Sequence, residues 1–278
     1  MVKIKAIDMK SYAKINLHLG VGSQRDDGFH SLQSIFARIS LFDIIHVTIY
    51  ESESLNVKVT GLDFLKIDGD DSLTKAAKLW CDATGVVASI AIDIKKNIPS
   101  EAGLGGGSSN AATVLLALQK MNPSVALPFD ELLDIGASIG SDVPFFLFDT
   151  TFCYVTGRGE IVKPLYCKFD YRVHIVKPME GISTKGAFKA LDKIDRIDFY
   201  KEKDFLDYFK SGIDYWKKYF FNDFEKVISS QVLKSFKESN NLCMMSGSGS
   251  TCYEIINKNG VVTSICEDVE ADSIYYFL

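Results

Sequence analysis

The chain has 278 residues, a formal net charge of −5, and is 47% hydrophobic and 24% charged. That length suits one large or two modest domains with a full core. The acidic balance excludes a general nucleic-acid binder, which would carry a basic stripe, and the absence of an apolar run of about 18 residues excludes a membrane span.

In chain order, Ala13 to Val21 and Asp43 to Tyr50 alternate as strands do. Residues 72–85 predict a helix with Ser72 as N-cap and Gly85 as its stop. Residues 86–99 read as a strand of β-branched residues ended by Pro99. Four glycines in five positions (Gly103, Gly105, Gly106, Gly107) then abut Ser108 and Ser109, and a helix runs from Ser108 to Met121, closed by Asn122-Pro123. Asp130 to Ile139 predicts another helix. The apolar stretch "DVPFFLFDTTFCYVTG" reads as strand-like up to a turn at Gly157 and Gly159. "YRVHIVKP" predicts a buried strand, and a lysine-, aspartate- and aromatic-rich helical region extends to about Ser239. "LCMMSGSGSTCYEII" places a glycine-serine turn between apolar segments. The mixture is α+β, with a boundary that divides residues 1–160 from 161–278.

The N-terminal stretch alternates lysine with aliphatics and has no hydrophobic signal core. Six scattered cysteines (Cys81, Cys153, Cys167, Cys243, Cys252, Cys266) form no C-x-x-C pair, which predicts reduced, mostly buried thiols and a cytoplasmic protein. Four separated histidines without H-E-x-x-H predict no zinc site. Oligomeric state is not written in the pattern, and a monomer or weak dimer fits equally.

Glycine weakens helices and strands, so four of them against a strong helix former call for a reason. The first amides of a helix lack internal partners and its end carries partial positive charge, while glycines let backbone approach phosphate oxygens closely. Ser108 and Ser109 add hydroxyl donors. Neither the P-loop spacing nor G-x-G-x-x-G is present, and a plain turn with a cap fits the same residues. Asp142 beside Pro144, Phe145 and Phe146 predicts a partly desolvated carboxylate in need of a donor, though a turn aspartate fits too. Lys14 stands in an otherwise half-buried strand; facing inward, it would seek an aspartate. Gly247 and Ser248 belong to a backbone able to curl round an anion or pack on another loop. "RDDGFH" (Arg25 to His30) carries an aromatic and an imidazole that suit a planar base, or a surface hairpin with Phe29 tucked inward.

"AKINLHLGV", "GLGGGSSNAA" and "SGSGSTCY", in that order, resemble the three motifs of the GHMP small-molecule kinases, named for galactokinase, homoserine kinase, mevalonate kinase and phosphomevalonate kinase. "RDDGFH", "IPSEAGLGGGSSNAATVLLAL", "IGSDVPFFL" and "NDFE" resemble further the branch whose acceptor is a cytidine-diphosphate-linked methylerythritol of the non-mevalonate isoprenoid pathway. The resemblance implies an N-terminal ribosomal protein S5 domain 2-like domain, a ferredoxin-like C-terminal domain and a site in the cleft. It implies Asp142 as catalytic carboxylate with Lys14 as its neighbour, and ATP phosphates cradled by Gly103, Leu104, Gly105, Gly106, Gly107, Ser108 and Ser109. Lys96, Pro99 and Asn110 would line the nucleotide pocket, and Mg²⁺ would arrive with ATP. Asn16 would meet the erythritol part, Phe29 and His30 the cytosine, Phe188 its other face, and Thr184, Gly247 and Ser248 the rest of the substrate. Phe29 stands where tyrosine is usual and Ser72 where asparagine is frequent. Another GHMP kinase, or a non-catalytic sensor on the same fold, are the rival readings.

Overall fold

The computed structural model describes residues 3–62, 69–169, 171–178, 183–194, 198–238, 241–257 and 271–277. Cys266 lies outside them. Two long strands open the chain, Lys3–Gln24 (β1) and His30–Tyr50 (β2), and they pair with each other. The expected strands at 13–21 and 43–50 are segments of these. Both strands contribute to two compact units that interleave along the chain. One comprises Met1–Ala13, Leu41–Ser100 and Gly105–Asp149, the other Lys14–Ser40, Glu101–Leu104 and Thr150–Leu278. From Ala13 to Val21 every residue of β1 is buried. The alternation there is therefore not core against solvent: Lys14, Asn16 and His18 occupy a second buried face.

The first unit adds Asn56–Thr60 (β3), Ser72–Thr84 (α1), Ser89–Lys95 (β4), Gly106–Met121 (α2), Phe129–Ile139 (α3) and Val143–Leu147 (α4). β3 runs parallel to β4, with Val57 opposite Ile90, and β4 runs antiparallel to the end of β2, with Val47 opposite Ile92. α2 is buried almost all round, as befits a helix apolar on every side. Gly85 ends α1 in the left-handed conformation, as expected. The N-cap is Asp71 and not Ser72: the Asp71 carboxylate accepts from the Leu73 and Thr74 amides, each at 2.9 Å, and from Thr74 Oγ1 at 2.7 Å. A carboxylate one residue earlier satisfies two orphan donors and complements the helix dipole, which a serine hydroxyl does less well. The segment expected as strand after Asp142 is also corrected, because "VPFFL" is helix α4 with Pro144 in its first turn. Five consecutive buried apolar residues carry no period that separates buried helix from buried strand, and proline favours the helix start.

The second unit contains Phe152–Thr156 (β5), Ile161–Leu165 (β6), Tyr171–Pro178 (β7), Thr184–Leu191 (α5), Glu202–Lys210 (α6), Ile213–Tyr219 (α7), Gln231–Lys237 (α8), Leu242–Met245 (β8), Cys252–Asn257 (β9) and Ala271–Phe277 (β10). The start of β2 pairs with β5 and β5 with β6, while a second, antiparallel sheet has the order β10-β7-β9-β8. Leu191, Phe224, Leu233, Met245 and Cys252 belong to the apolar cluster that joins this sheet to α5 and α8. The aromatic-rich segment is amphipathic: Phe205, Phe209, Trp216 and Phe220 are buried, Tyr215 exposed. His18 lies among Tyr200, Phe205, Phe220 and Phe221, and its Nδ1 accepts from the Phe221 amide at 3.3 Å. Burial lowers its pKa to about 3, so the ring is neutral. Burial likewise pushes the Cys81 and Cys252 thiols up to about 11 and that of Cys153 to about 12. These cysteines are inert core residues.

Candidate active site

In the first unit, Gly105 adopts φ 69° as the N-cap of α2, a conformation that glycine alone takes without strain. The Ser109 amide is the first to bond back along the helix, to Gly105 O at 2.8 Å. The amides of Gly106, Gly107 and Ser108 therefore stand at the helix mouth without intrahelical acceptors, the arrangement that receives anions. Gly106 leaves room for a neighbour: a Cβ there would meet Ile98 Cγ2 at 3.1 Å and Lys96 Nζ at 3.3 Å. Ser72, at the start of α1, donates to Gly107 O at 3.0 Å.

A buried network stands behind this mouth. Lys96 Nζ donates to Asp43 Oδ2 at 2.5 Å and to Asn110 Oδ1 at 3.1 Å. Asn110 Nδ2 donates to Asp43 Oδ2 at 2.8 Å and to Ser11 Oγ at 2.9 Å, and Ser11 pairs with Ser109 at 2.7 Å. Asp43 Oδ1 accepts the amides of Asn97 and Ile98 at 2.7 and 2.8 Å. Asp43 is fully buried, and four donors compensate its lost hydration. It joins Lys96 and Asn110, two residues singled out in the sequence, and it went unnoticed there. Its one signal was a charge at the head of an apolar strand.

Asp142 is half-buried where α4 begins, preceded by a turn closed by the Val143 amide on Gly140 O at 3.0 Å. A Cβ at Gly140 would stand 3.8 Å from Ser108 Oγ, so this turn is packed beside the first turn of α2. The carboxylate thus stands between two helices, where the sequence suggested a helix and a strand. Pro99 is half-buried between β4 and the glycine bend.

In the second unit, Lys14 is 4% exposed. Its ammonium donates to Asn16 Oδ1 at 2.7 Å and lies 4.4 Å above the Phe36 ring centre, while its amide donates to Leu104 O at 3.0 Å. Asn16 Oδ1 also accepts the Gly247 amide at 3.0 Å, and Asn16 Nδ2 donates to Ser34 at 3.1 Å. Gly103, at φ 70°, packs so closely on the serine-glycine turn that a Cβ would fall 2.1 Å from Ser246 O, and Ser246 Oγ donates to Gly103 O at 2.8 Å. Asn222, of the "NDFE" stretch, clamps that turn through bonds to Met245 O and Gly247 O at 2.7 and 2.8 Å. Lys14, Asn16, Gly103, Leu104 and Gly247 are thereby gathered. The serine-glycine turn thus packs closely on another loop, as one of its two readings expected. Ser250 Oγ and Thr251 Oγ1 are buried without a hydrogen-bond partner among the described residues.

A second cluster of this unit holds the remaining positions. Thr184 and Ser248 pair at 2.9 Å. The His30 ring stacks on Phe188 with centres 4.8 Å apart and planes at 22°, and Phe188 meets Phe224 edge-on. Phe29 is exposed at the tip of the β1–β2 hairpin, with the Arg158 guanidinium 4.8 Å over its ring. It is not tucked inward. His30 Nε2 lies 2.9 Å from Asp192 Oδ1.

The glycine bend and the helix it opens lie within the stretch of the chain that defines a class of small-molecule kinases. Residues 71–150 match the family of GHMP kinases N terminal domain, and the mevalonate kinase of Methanococcus jannaschii shares the fold, with a TM-score of 0.62 at 13% identity over 99% of each chain. The 4-diphosphocytidyl-2-C-methyl-D-erythritol kinase of Thermosipho melanesiensis is 35% identical over 96% of both chains. The chloroplastic one of Arabidopsis thaliana is 35% identical over 91% of this chain and 68% of its own. A crystal structure of a 4-(cytidine 5'-diphospho)-2C-methyl-D-erythritol kinase matches with a TM-score of 0.72 at 29% identity, covering 90% of each chain. The chain belongs to the family of 4-diphosphocytidyl-2-C-methyl-D-erythritol kinases.

Proposed function

We infer that the protein transfers the terminal phosphoryl group of ATP to the 2-hydroxyl of 4-diphosphocytidyl-2-C-methyl-D-erythritol, yielding the 2-phosphate and ADP in the non-mevalonate route to isoprenoid precursors. The observation that carries this reading is family membership along nearly the whole chain. The chemistry fits what the residues offer. Phosphoryl transfer demands positioning, charge neutralisation and a group that takes the hydroxyl proton. The amides of Gly106, Gly107 and Ser108 receive phosphate oxygens at the mouth of α2. The family resemblance assigns the proton of the attacking alcohol to Asp142, and to Lys14, which donates to Asn16, the positive charge that favours the developing alkoxide. Lys96 and Asn110, held by Asp43, shape the nucleotide side; Asn16 and Thr184 meet the acceptor, and Phe29, His30 and Phe188 its base. Mg²⁺, which is typically held by substrate phosphates with one or two carboxylates, would enter with the nucleotide and neutralise phosphate charge there.

The test is a coupled ADP-release assay with the diphosphocytidyl substrate beside homoserine and mevalonate. Turnover confined to the first supports the reading; preference for either of the others refutes it. Asp142→Ala should lose about 10²–10⁴-fold in kcat with ATP affinity nearly unchanged.

A further inference from the structure

The short helix α5 presents Phe188 and, one turn later, Asp192, so the two share a face. Both engage the same partner. The buried His30 ring lies flat on Phe188 at 4.8 Å while its Nε2 meets Asp192 Oδ1 at 2.9 Å. An ionised carboxylate only accepts hydrogen bonds, so the hydrogen of this contact sits on Nε2. In a neutral imidazole that leaves Nδ1 with the lone pair. No described residue bonds Nδ1, and Nδ1 is not among the buried unsatisfied atoms. It is the polar atom of the ring left for a ligand.

We propose that Asp192 is a positioning residue: it fixes His30 as an Nδ1 acceptor and so selects a base that carries an amino group where uracil carries an oxygen. The proposal rests on the reading above that His30 faces the substrate's base. Cytosine offers its exocyclic amino group as a donor; the corresponding uracil oxygen is an acceptor and would oppose the Nδ1 lone pair. Phe188 contributes the flat support that keeps the imidazole plane constant, and the carboxylate keeps its tautomer.

Three measurements test this. Imidazole ¹H–¹⁵N correlation spectra at pH 8 should show the free wild-type protein with His30 protonated at Nε2, and Asp192→Ala with a mixture of tautomers. Calorimetry with cytidine 5′-diphosphate and uridine 5′-diphosphate should show wild-type preference for the cytidine form, reduced about tenfold or more in Asp192→Ala. Asp192→Asn, whose amide oxygen can still accept from Nε2, should retain most of it. In turnover, Asp192→Ala should raise the KM for the diphosphocytidyl substrate and leave kcat within about twofold. A wild-type Nδ1–H tautomer, or an unchanged nucleotide preference in a folded Asp192→Ala protein, overturns the proposal. Absence of turnover with the spectra and nucleotide preference as expected would instead overturn the kinase reading and leave the role of Asp192 standing.

Discussion

Replacing Gly103 by alanine probes the docking of the glycine bend on the serine-glycine turn. The new Cβ would lie 2.1 Å from Ser246 O, 3.0 Å from Ser246 C and 3.3 Å from Gly249 O, at φ 70°. A left-handed alanine costs roughly 1–2 kcal/mol by itself. Relief of the overlap requires the two backbones to part by about 1 Å. That would give up the bond from Ser246 Oγ to Gly103 O, a loss of about 1 kcal/mol. The sum is a destabilisation of about 2–3 kcal/mol. A displacement of about 1 Å at a positioning loop also lowers kcat/KM by about 10²-fold. Gly85→Ala is the control, since Gly85 shares φ 70° but has nothing within 4 Å of an added Cβ. It should cost only the conformational term, about 1–2 kcal/mol, and leave activity intact. Urea unfolding of both variants and the coupled ADP assay measure the two effects. If Gly103→Ala matches Gly85→Ala in stability and retains kcat/KM within twofold, the close packing of the two loops is refuted.

Lys96→Met leaves Asp43 buried without its cation. Loss of one partner of such a pair costs about 3–5 kcal/mol, and the three remaining donors to Asp43 put the expected loss near the lower figure; an unchanged denaturation midpoint would show the pair to be unimportant. His18 predicts acid sensitivity. Its folded pKa of about 3 lies below the ordinary imidazole value of 6.5, so between these values the unfolded chain binds a proton that the folded chain refuses. Stability from this group is complete above about pH 6.5 and falls by roughly 1.4 kcal/mol per pH unit as pH drops towards 3. Urea titrations at pH 7, 5.5 and 4.5 should show a shallower decline for His18→Phe than for the wild type, and parallel declines would contradict the burial of a neutral ring.

Local chemistry was legible wherever a few adjacent residues set it. The stop of α1 at Gly85 and the close of α2 at Asn122-Pro123 follow from conformations that particular residues favour or forbid, whereas α2 starts at Gly106, two residues before the expected Ser108, because the left-handed cap falls at Gly105. Asp71 and Ser72 show the limit of that reading, because both are competent caps and adjacent, and the carboxylate that takes two amides is the one used. "VPFFL" shows another, since complete burial erases the period from which helix and strand are told apart.

The amino-acid order alone specified the glycine bend, the helix it opens, the second glycine turn and the positions where an amine, a carboxylate, an imidazole and an aromatic ring recur as family motifs. Tertiary structure decided what those groups touch. Asp43 reaches Lys96 from 53 positions away, Asn16 meets Gly247 across 231, and Asp192 meets His30 across 162. A buried polar group must find a partner, yet nothing local says which one. Partners so far apart along the chain meet only when sheets and helices have packed, so their identity is a property of the fold and not of any window of sequence.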